Sequence, residues 1–267
     1  MPHLRRTNVP RDTSNMALGP HGDLHLAVQD DLWIIDGETG RVEQVLHTGH
    51  DDRDWGLVDP LADGGQLCTH VPREAMYIGA EGEWYDGGGE ESWRVAGDRL
   101  RRLDAYGQEV WSVEPRGWIL HSTIARDEAR VLYVEVPAVE LDRQGRMPQS
   151  TLGRQELVAV DLNTGQEQWR RPLDAGHYDR MTYVLLADDI AVVSGSSDKF
   201  HTLAFNAANG APIWAKDHAW ARDHHGGPLQ HPVIVGDIVY VESCAYDLRN
   251  GDLLRTDVPQ GRGCGTK

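Results

Sequence analysis

The sequence has few cysteines, and their positions exclude the common cysteine-based sites. Only three of its 267 residues are cysteines, Cys68, Cys244 and Cys264, and no two of them form a C-x-x-C pair. A zinc ribbon and a thioredoxin-type redox site both need such pairs, so neither is expected. The sequence leaves open whether any two of the three are joined as a disulfide.

Positive charge and long apolar segments are also scarce. Lys and Arg total 26 against 42 Asp and Glu, which gives a formal net charge of −16. This balance disfavours non-specific binding to nucleic acid or to an anionic membrane, because both need a positive field. No run of 18 apolar residues occurs, so no transmembrane segment is expected. Hydrophobic residues still make up 40% of the chain, which is enough for a packed core.

A short unit recurs along the chain and predicts the fold. Residues 157–169 read LVAVDLNTGQEQW and residues 202–214 read TLAFNAANGAPIW, so both fit A-x-[DN]-x-x-[TN]-G-x-x-x-W. A third copy has Arg255 at the Trp position, and two further copies surround Asp36 and Asp104. The Asp or Asn and the Gly predict a hairpin turn between two strands. The Trp is too large for an isolated hairpin to bury and needs a neighbouring surface.

Another hairpin precedes each unit, so each period holds four strands, here called A to D. Residues 181–187 with 190–197, and 118–125 with 131–138, are two such pairs. Recurring groups of four antiparallel strands are typical of β-propeller blades. We therefore expect an all-β fold, a single propeller domain over residues 1–267, with an insertion at 72–97. A β-sandwich is the alternative. Five blades are expected, at about 15–47, 55–114, 118–173, 181–217 and 229–258.

The repeated unit resembles that of the PQQ-like β-propeller family, over roughly residues 15–265. That superfamily includes quinoprotein alcohol dehydrogenases and the propeller lipoprotein of the outer-membrane assembly machine. The resemblance implies a closed ring of seven or eight blades, so the five blades here are expected to be part of a longer ring. It also implies a periplasmic or otherwise extracytoplasmic location, although residues 1–15 lack the apolar segment of a secretory signal.

The connections between blades carry many histidines and acids. In a propeller, the D–A and B–C connections lie on one face, and the D–A connections pass near the central channel. Here the D–A connections are expected at 47–54, 115–117, 174–180 and 217–231, and 139–153 is expected to be a B–C loop. The candidate ligand or partner residues on this face are His50, Asp52, Asp54, His177, Asp179, Arg180, Trp220 and Arg222. The candidate metal ligands, grouped around a Gly-Gly-Pro turn, are His224, His225 and His231.

Two functional hypotheses follow. The first is a non-catalytic binding or scaffold module that holds a protein partner or a small polar ligand on the D–A and B–C face. The second is a quinoprotein-type oxidoreductase that uses PQQ or a metal ion in the central channel. Quinoprotein dehydrogenases commonly carry adjacent cysteines and a calcium ligand set, and no two cysteines are adjacent here. The sequence therefore favours the first hypothesis and supplies no complete motif for a cofactor.

Overall fold

The computed structural model describes residues 16–72, 96–137, 154–173, 181–196, 199–219 and 231–258. These residues form 21 β-strands. The chain divides into two compact units. The described part of the first comprises 16–72 and 96–115, and the rest belongs to the second. Within the described ranges no helix has the length and apolar character that a membrane crossing requires.

The first unit contains two antiparallel sheets in which strands follow one another in chain order. The first sheet comprises β1 (Met16–Leu18), β2 (Leu24–Val28), β3 (Asp31–Ile35) and β4 (Val42–His47). The second comprises β5 (Arg53–Pro60), β6 (Gln66–Pro72), β8 (Arg99–Leu103) and β9 (Glu109–Val113). A short strand, β7 (Ala96–Gly97), precedes β8 along the chain and is not one of the four strands of this sheet. Most of the predicted insertion at 72–97 lies outside the described residues.

The second unit contains three sheets with the same strand order. The first has β10 (Gly117–Arg126), β11 (Arg130–Pro137), β12 (Glu156–Asp161) and β13 (Glu167–Pro172). The second has β14 (Met181–Ala187), β15 (Ile190–Ser196), β16 (Phe200–Asn206) and β17 (Pro212–His218). The third has β18 (Val233–Val235), β19 (Ile238–Val241), β20 (Cys244–Asp247) and β21 (Leu253–Arg255). The five sheets and the all-β class agree with the predicted fold.

The turn between the third and fourth strands explains the conserved spacing inside the repeat. The carboxylate of Asp161 accepts hydrogen bonds from the backbone N–H groups of Asn163 and Thr164, both at 2.9 Å. Gly165 then donates to the carbonyl of Asp161 at 2.8 Å with a φ of 70°. Asp and Asn stabilise such turns through their side chains, and Gly adopts positive φ without steric cost. The same turn closes at Gly210 and Gly251.

The repeated tryptophans join neighbouring sheets of the second unit. The indole of Trp169 in β13 donates to the carbonyl of Ala207 at 2.9 Å, and that of Trp214 in β17 donates to Leu248 at 2.8 Å. Each ring lies against the turn glycine of the next sheet, Gly210 or Gly251. Each Trp was expected to need a neighbouring surface for its burial, and for Trp169 and Trp214 this surface is the turn of the following repeat.

Two cysteines are packed in the cores and are not paired. Cys68 lies with Leu32 and Trp55 in the core of the first unit, and burial raises the pKa of its thiol to about 12. Cys244 is buried in the second unit, and both thiols are free. Cys264 lies outside the described residues.

Candidate functional site

The face predicted from the sequence corresponds to one end of each sheet. In the β14–β17 sheet, the strand register places the start of the first strand and the end of the fourth in one row. The paired residues along this row are Met181–Ser196, Ser196–Phe200 and Phe200–His218. The D–A and B–C connections leave from this end, which we call the loop end. The opposite end, which carries the Asp–Gly turns, is called the turn end.

His70 is the centre of the loop end of the β5–β9 sheet. Its side chain is 1% exposed, and its Nε2 lies 3.0 Å from Nη1 of Arg101. A guanidinium only donates hydrogen bonds, so Nε2 must accept and the ring proton must be on Nδ1. Burial, reinforced by Arg101, lowers the pKa of His70 to about 3. The imidazole is therefore neutral at physiological pH.

Two rings pack edge-on against His70, and these contacts attach the connection before β5 to the sheet. The ring of His50 meets that of His70 edge-on at 5.4 Å between centroids, and Trp55 meets it at 5.0 Å. Arg101 lies 5.8 Å from the centroid of Trp55, within the range of a cation–π contact, and also donates to the carbonyl of Thr48 at 3.0 Å. His50 is the exposed member of this group.

The acids near His50 occupy different environments. Asp52 is exposed and pairs with Arg53 at 2.5 Å, whereas Asp54 is 2% exposed. Arg53 also contacts Asp98 at 2.9 Å, yet burial outweighs this contact and raises the pKa of Asp98. The sequence placed Arg53 and Asp54 in a connection, but both belong to β5. Asp54 is buried because the strand begins earlier than expected.

In the β14–β17 sheet, a buried histidine is linked to an ion pair. Nδ1 of His201 lies 2.9 Å from one carboxylate oxygen of Asp217, and the other oxygen lies 2.8 Å from Nζ of Lys199. Partial burial opposes ionisation of Asp217, but the hydrogen bonds from Lys199 and His201 outweigh it and lower its pKa. The contact joins β16 to β17 at the loop end.

His218 connects that sheet to the next one. Its ring stacks on Phe200 at 5.0 Å, and Nδ1 lies 2.8 Å from the hydroxyl of Tyr246 in β20. Burial lowers the pKa of His218 to about 4, so this imidazole is also neutral at physiological pH. The sequence placed His218 in a D–A connection, but it is the last residue of β17.

A half-buried guanidinium joins three strands at the loop end of the β10–β13 sheet. Arg170 donates to Glu135 at 3.2 Å, to Glu156 at 2.8 Å and to Glu167 at 3.0 Å. Glu135 is itself buried. Charge-assisted hydrogen bonds of this kind are strong, and here they connect β11, β12 and β13. These acids are therefore engaged in holding the sheet together.

The structure brings together only part of the predicted site. His50, Asp52 and Asp54 lie in one segment of the first unit. His231 lies just before β18, with its ring 4.4 Å from that of Tyr183 and its Nδ1 2.7 Å from the carbonyl of Pro232. In the described part of the chain no group of three or more His, Cys, Asp or Glu has a metal-binding arrangement. The other predicted residues lie outside the described ranges: His177, Asp179, Arg180, Trp220, Arg222, His224 and His225.

Several loop-end residues carry no sequence motif and were not predicted. They are His70, Arg101, His201 and the buried Glu242. His70 and His201 lie near strand ends and Glu242 lies in a tight turn, whereas Arg101 is the middle residue of β8. A polar residue in such a position was the only available signal, and it does not identify the bonding partner.

Comparison with known families identifies the repeat. A family model described as "Outer membrane protein assembly factor BamB" matches residues 96–263. The chain belongs to this family of PQQ-like β-propellers. A search of curated proteins found no match.

Two solved structures with TM-scores above 0.5 support the propeller fold of this chain. The Dos1 propeller has a TM-score of 0.55 at 12% identity, covering 93% of this chain and 61% of that one. The quinohemoprotein alcohol dehydrogenase ADHIIG from Pseudomonas putida HK5 has a TM-score of 0.51 at 15% identity, covering 90% and 41%. BamB from Moraxella catarrhalis has a TM-score of 0.45 at 14% identity, covering 93% and 77%. The five sheets are propeller blades, and the chain spans less than two thirds of the first two of these proteins.

Proposed function

We propose that this PQQ-like propeller is a non-catalytic binding or scaffold module that holds a protein partner at the loop ends of its blades. The observation that carries the proposal is the bonding of its loop-end histidines. His70 accepts from Arg101, His201 contacts Asp217 and His218 contacts Tyr246. These imidazoles support the structure from which the D–A connections leave.

The same contacts argue against acid–base catalysis by these histidines. A general base works best with a pKa near the operating pH and must reach the proton that it removes. The pKa of His70 is lowered to about 3 and that of His218 to about 4. Both rings are buried or half-buried. Neither meets the requirements at neutral pH.

The proposal assigns binding to exposed residues at the loop ends and in the connections that leave from them. His50 and Asp52 are exposed at the loop end of the first unit. His177, Asp179, Arg180, Trp220 and Arg222 remain candidates for the same role in the second. The family description, an assembly factor of the outer membrane, favours a protein partner over a small polar ligand and an extracytoplasmic location.

Site-specific photo-crosslinking in cells tests the proposal. A photoreactive residue replaces Asp52 at the loop end of the first unit or Trp220 in the D–A connection predicted at 217–231. Glu38 and Ala208, at the turn ends of the two units, are replaced as matched controls. We expect the first pair to crosslink to one discrete protein and the second pair not to. Crosslinking from the turn-end positions alone would contradict the proposed face.

The alternative function, a quinoprotein-type oxidoreductase, has a separate test. The full-length protein is incubated with PQQ and calcium, and dye-linked oxidation of alcohols and sugars is measured. The binding-module proposal expects no turnover above that of PQQ alone. Protein-dependent turnover would instead support the second candidate, in which PQQ or a metal ion is used.

A further inference from the structure

Glu242 is a buried acid, and one of its carboxylate oxygens has no hydrogen-bond partner among the described residues. It occupies the tight turn between β19 and β20, at the loop end of the last described blade. Glu242 is 7% exposed, and its Oε2 has no hydrogen-bond partner among the residues that the structure describes. Burying an unpaired carboxylate is unfavourable, so the position requires an explanation.

The backbone of Glu242 is strained as well. Its φ is +37°, in the region that favours Gly, Asn and Asp. Other tight hairpin turns of the second unit follow that preference, with Gly236 in one and Asp188 and Asp189 in another. Glu has no such advantage, so turn formation does not explain its presence. Strain held in place by surrounding structure is characteristic of functional positions.

We propose that Glu242 receives a basic side chain, a guanidinium or an ammonium group, from the protein partner. The inference rests on the proposed binding function and names the chemistry of one of its contacts. A carboxylate and a guanidinium form two parallel hydrogen bonds, which would satisfy both carboxylate oxygens. The net charge of −16 also attracts a basic partner.

The described charges that adjoin this turn do not satisfy the acid. The segment after β21 packs on the turn, because the N–H of Val258 donates to the carbonyl of Ser243 at 3.1 Å. Arg255, the last residue of β21, and Asp257 in the segment after it pair with each other at 3.0 Å. Burial alone raises the pKa of Glu242 to about 7. The free carboxyl is therefore largely protonated below neutral pH.

The protonation state links binding to pH. A cation binds the ionised carboxylate, so binding releases a proton and strengthens as the pH rises through about 7. Once the cation is bound, the pKa of Glu242 falls. A metal ion is a poorer candidate, since one carboxyl group lacks the ligand number that hard cations require.

The test uses small probes and the whole chain. Carbon-13 NMR follows the titration of the Glu242 side-chain carboxyl, assigned by its loss in Glu242→Gln. The probes are N-acetyl-arginine amide, N-acetyl-lysine amide and the neutral isostere N-acetyl-citrulline amide. We expect saturating arginine or lysine probe to lower the titration midpoint by about one pH unit or more, and citrulline to leave it unchanged. Comparison of the two cationic probes distinguishes a guanidinium from an ammonium ligand.

Variants separate a specific site from general charge attraction. Glu128→Gln removes an exposed acid from the turn between β10 and β11. In this variant the cationic probes should still lower the titration midpoint of Glu242. An unmoved midpoint with both cationic probes, or the same shift with citrulline, would overturn the inference. If loop-end crosslinking succeeds while these probes fail, only the role of Glu242 is wrong. If the probes bind while crosslinking fails, the partner-binding proposal is wrong.

Discussion

Substituting two glycines with alanine separates backbone strain from packing between blades. Gly251 and Gly236 both have positive φ, 72° and 56°. A Cβ added to Gly251 would lie 2.8 Å from ring atoms of Trp214, whereas one added to Gly236 meets nothing within 4 Å. The two alanine variants therefore share the conformational cost and differ in the steric contact.

The expected magnitudes follow from these contacts. Placing alanine in the left-handed region costs about 1–2 kcal/mol, so Gly236→Ala should lose about that much stability. In Gly251→Ala the indole of Trp214 must also move, which breaks its 2.8 Å hydrogen bond to Leu248. Leaving a buried donor and carbonyl unpaired costs about 1–3 kcal/mol more. Gly251→Ala should therefore lose about 2–5 kcal/mol in total.

Urea unfolding of both variants measures the difference. Far-UV circular dichroism and tryptophan fluorescence are followed together, and Trp214 is one of the nine tryptophans that contribute to the emission. A common m-value makes the midpoints comparable. Equal losses in the two variants would refute the view that the indole joins neighbouring blades. Gly210→Ala, beside Trp169, provides a second instance, since its Cβ would lie 2.7 Å from the ring.

Three further predictions concern the loop ends. Arg101→Met removes the charge beside His70, so the pKa of His70 should rise from about 3 while burial keeps it below 6.5, as measured by NMR; an unchanged pKa would show that Arg101 has no influence. Glu242→Gln should gain stability over the parent as the pH rises from about 4.5 to about 7, because only the parent must keep a buried acid protonated or pair its charge; a pH-independent difference in urea midpoints would contradict this. The metal site predicted from the sequence is tested by alanine variants of His224, His225 and His231. They should lose bound metal in elemental analysis, and unchanged metal uptake would refute the site.

The strand pattern was predictable because the repeat carries it locally. The sequence placed hairpin strands at 181–187 and 190–197, and the structure has Met181–Ala187 and Ile190–Ser196. Alternating apolar residues and turn-forming Asp, Asn and Gly determine such strands without distant contacts. The exceptions are also local. The first repeat has Gln44 at the Trp position, and Leu46 of β4 contacts the turn glycine Gly107 instead.

The loop-end contacts were not predictable because they depend on register. His70 and Arg101 are 31 residues apart and meet only because β6 pairs with β8. His218 and Tyr246 come together only when two sheets pack. A histidine count identified a polar region, but it could not distinguish a buried, neutral imidazole from an exposed one. For His70, His201 and His218 the bonding partners indicate a role in supporting the strand ends, whereas the metal site predicted at His224, His225 and His231 stays a prediction.

The two ends of the blades use different interactions, which explains how one can change without the other. At the turn end, an Asp or Asn, a glycine and an indole form a continuous joint, so a change in any of them weakens packing between sheets. At the loop end, bonds such as His201–Asp217 and Arg170–Glu135 hold the strand ends within a sheet, and the bond between His218 and Tyr246 links two sheets. The connections beyond them are then free to differ in length and composition. Binding residues on those connections are accordingly separable from stability, whereas Glu242 is not, because its buried carboxyl belongs to the packed turn itself.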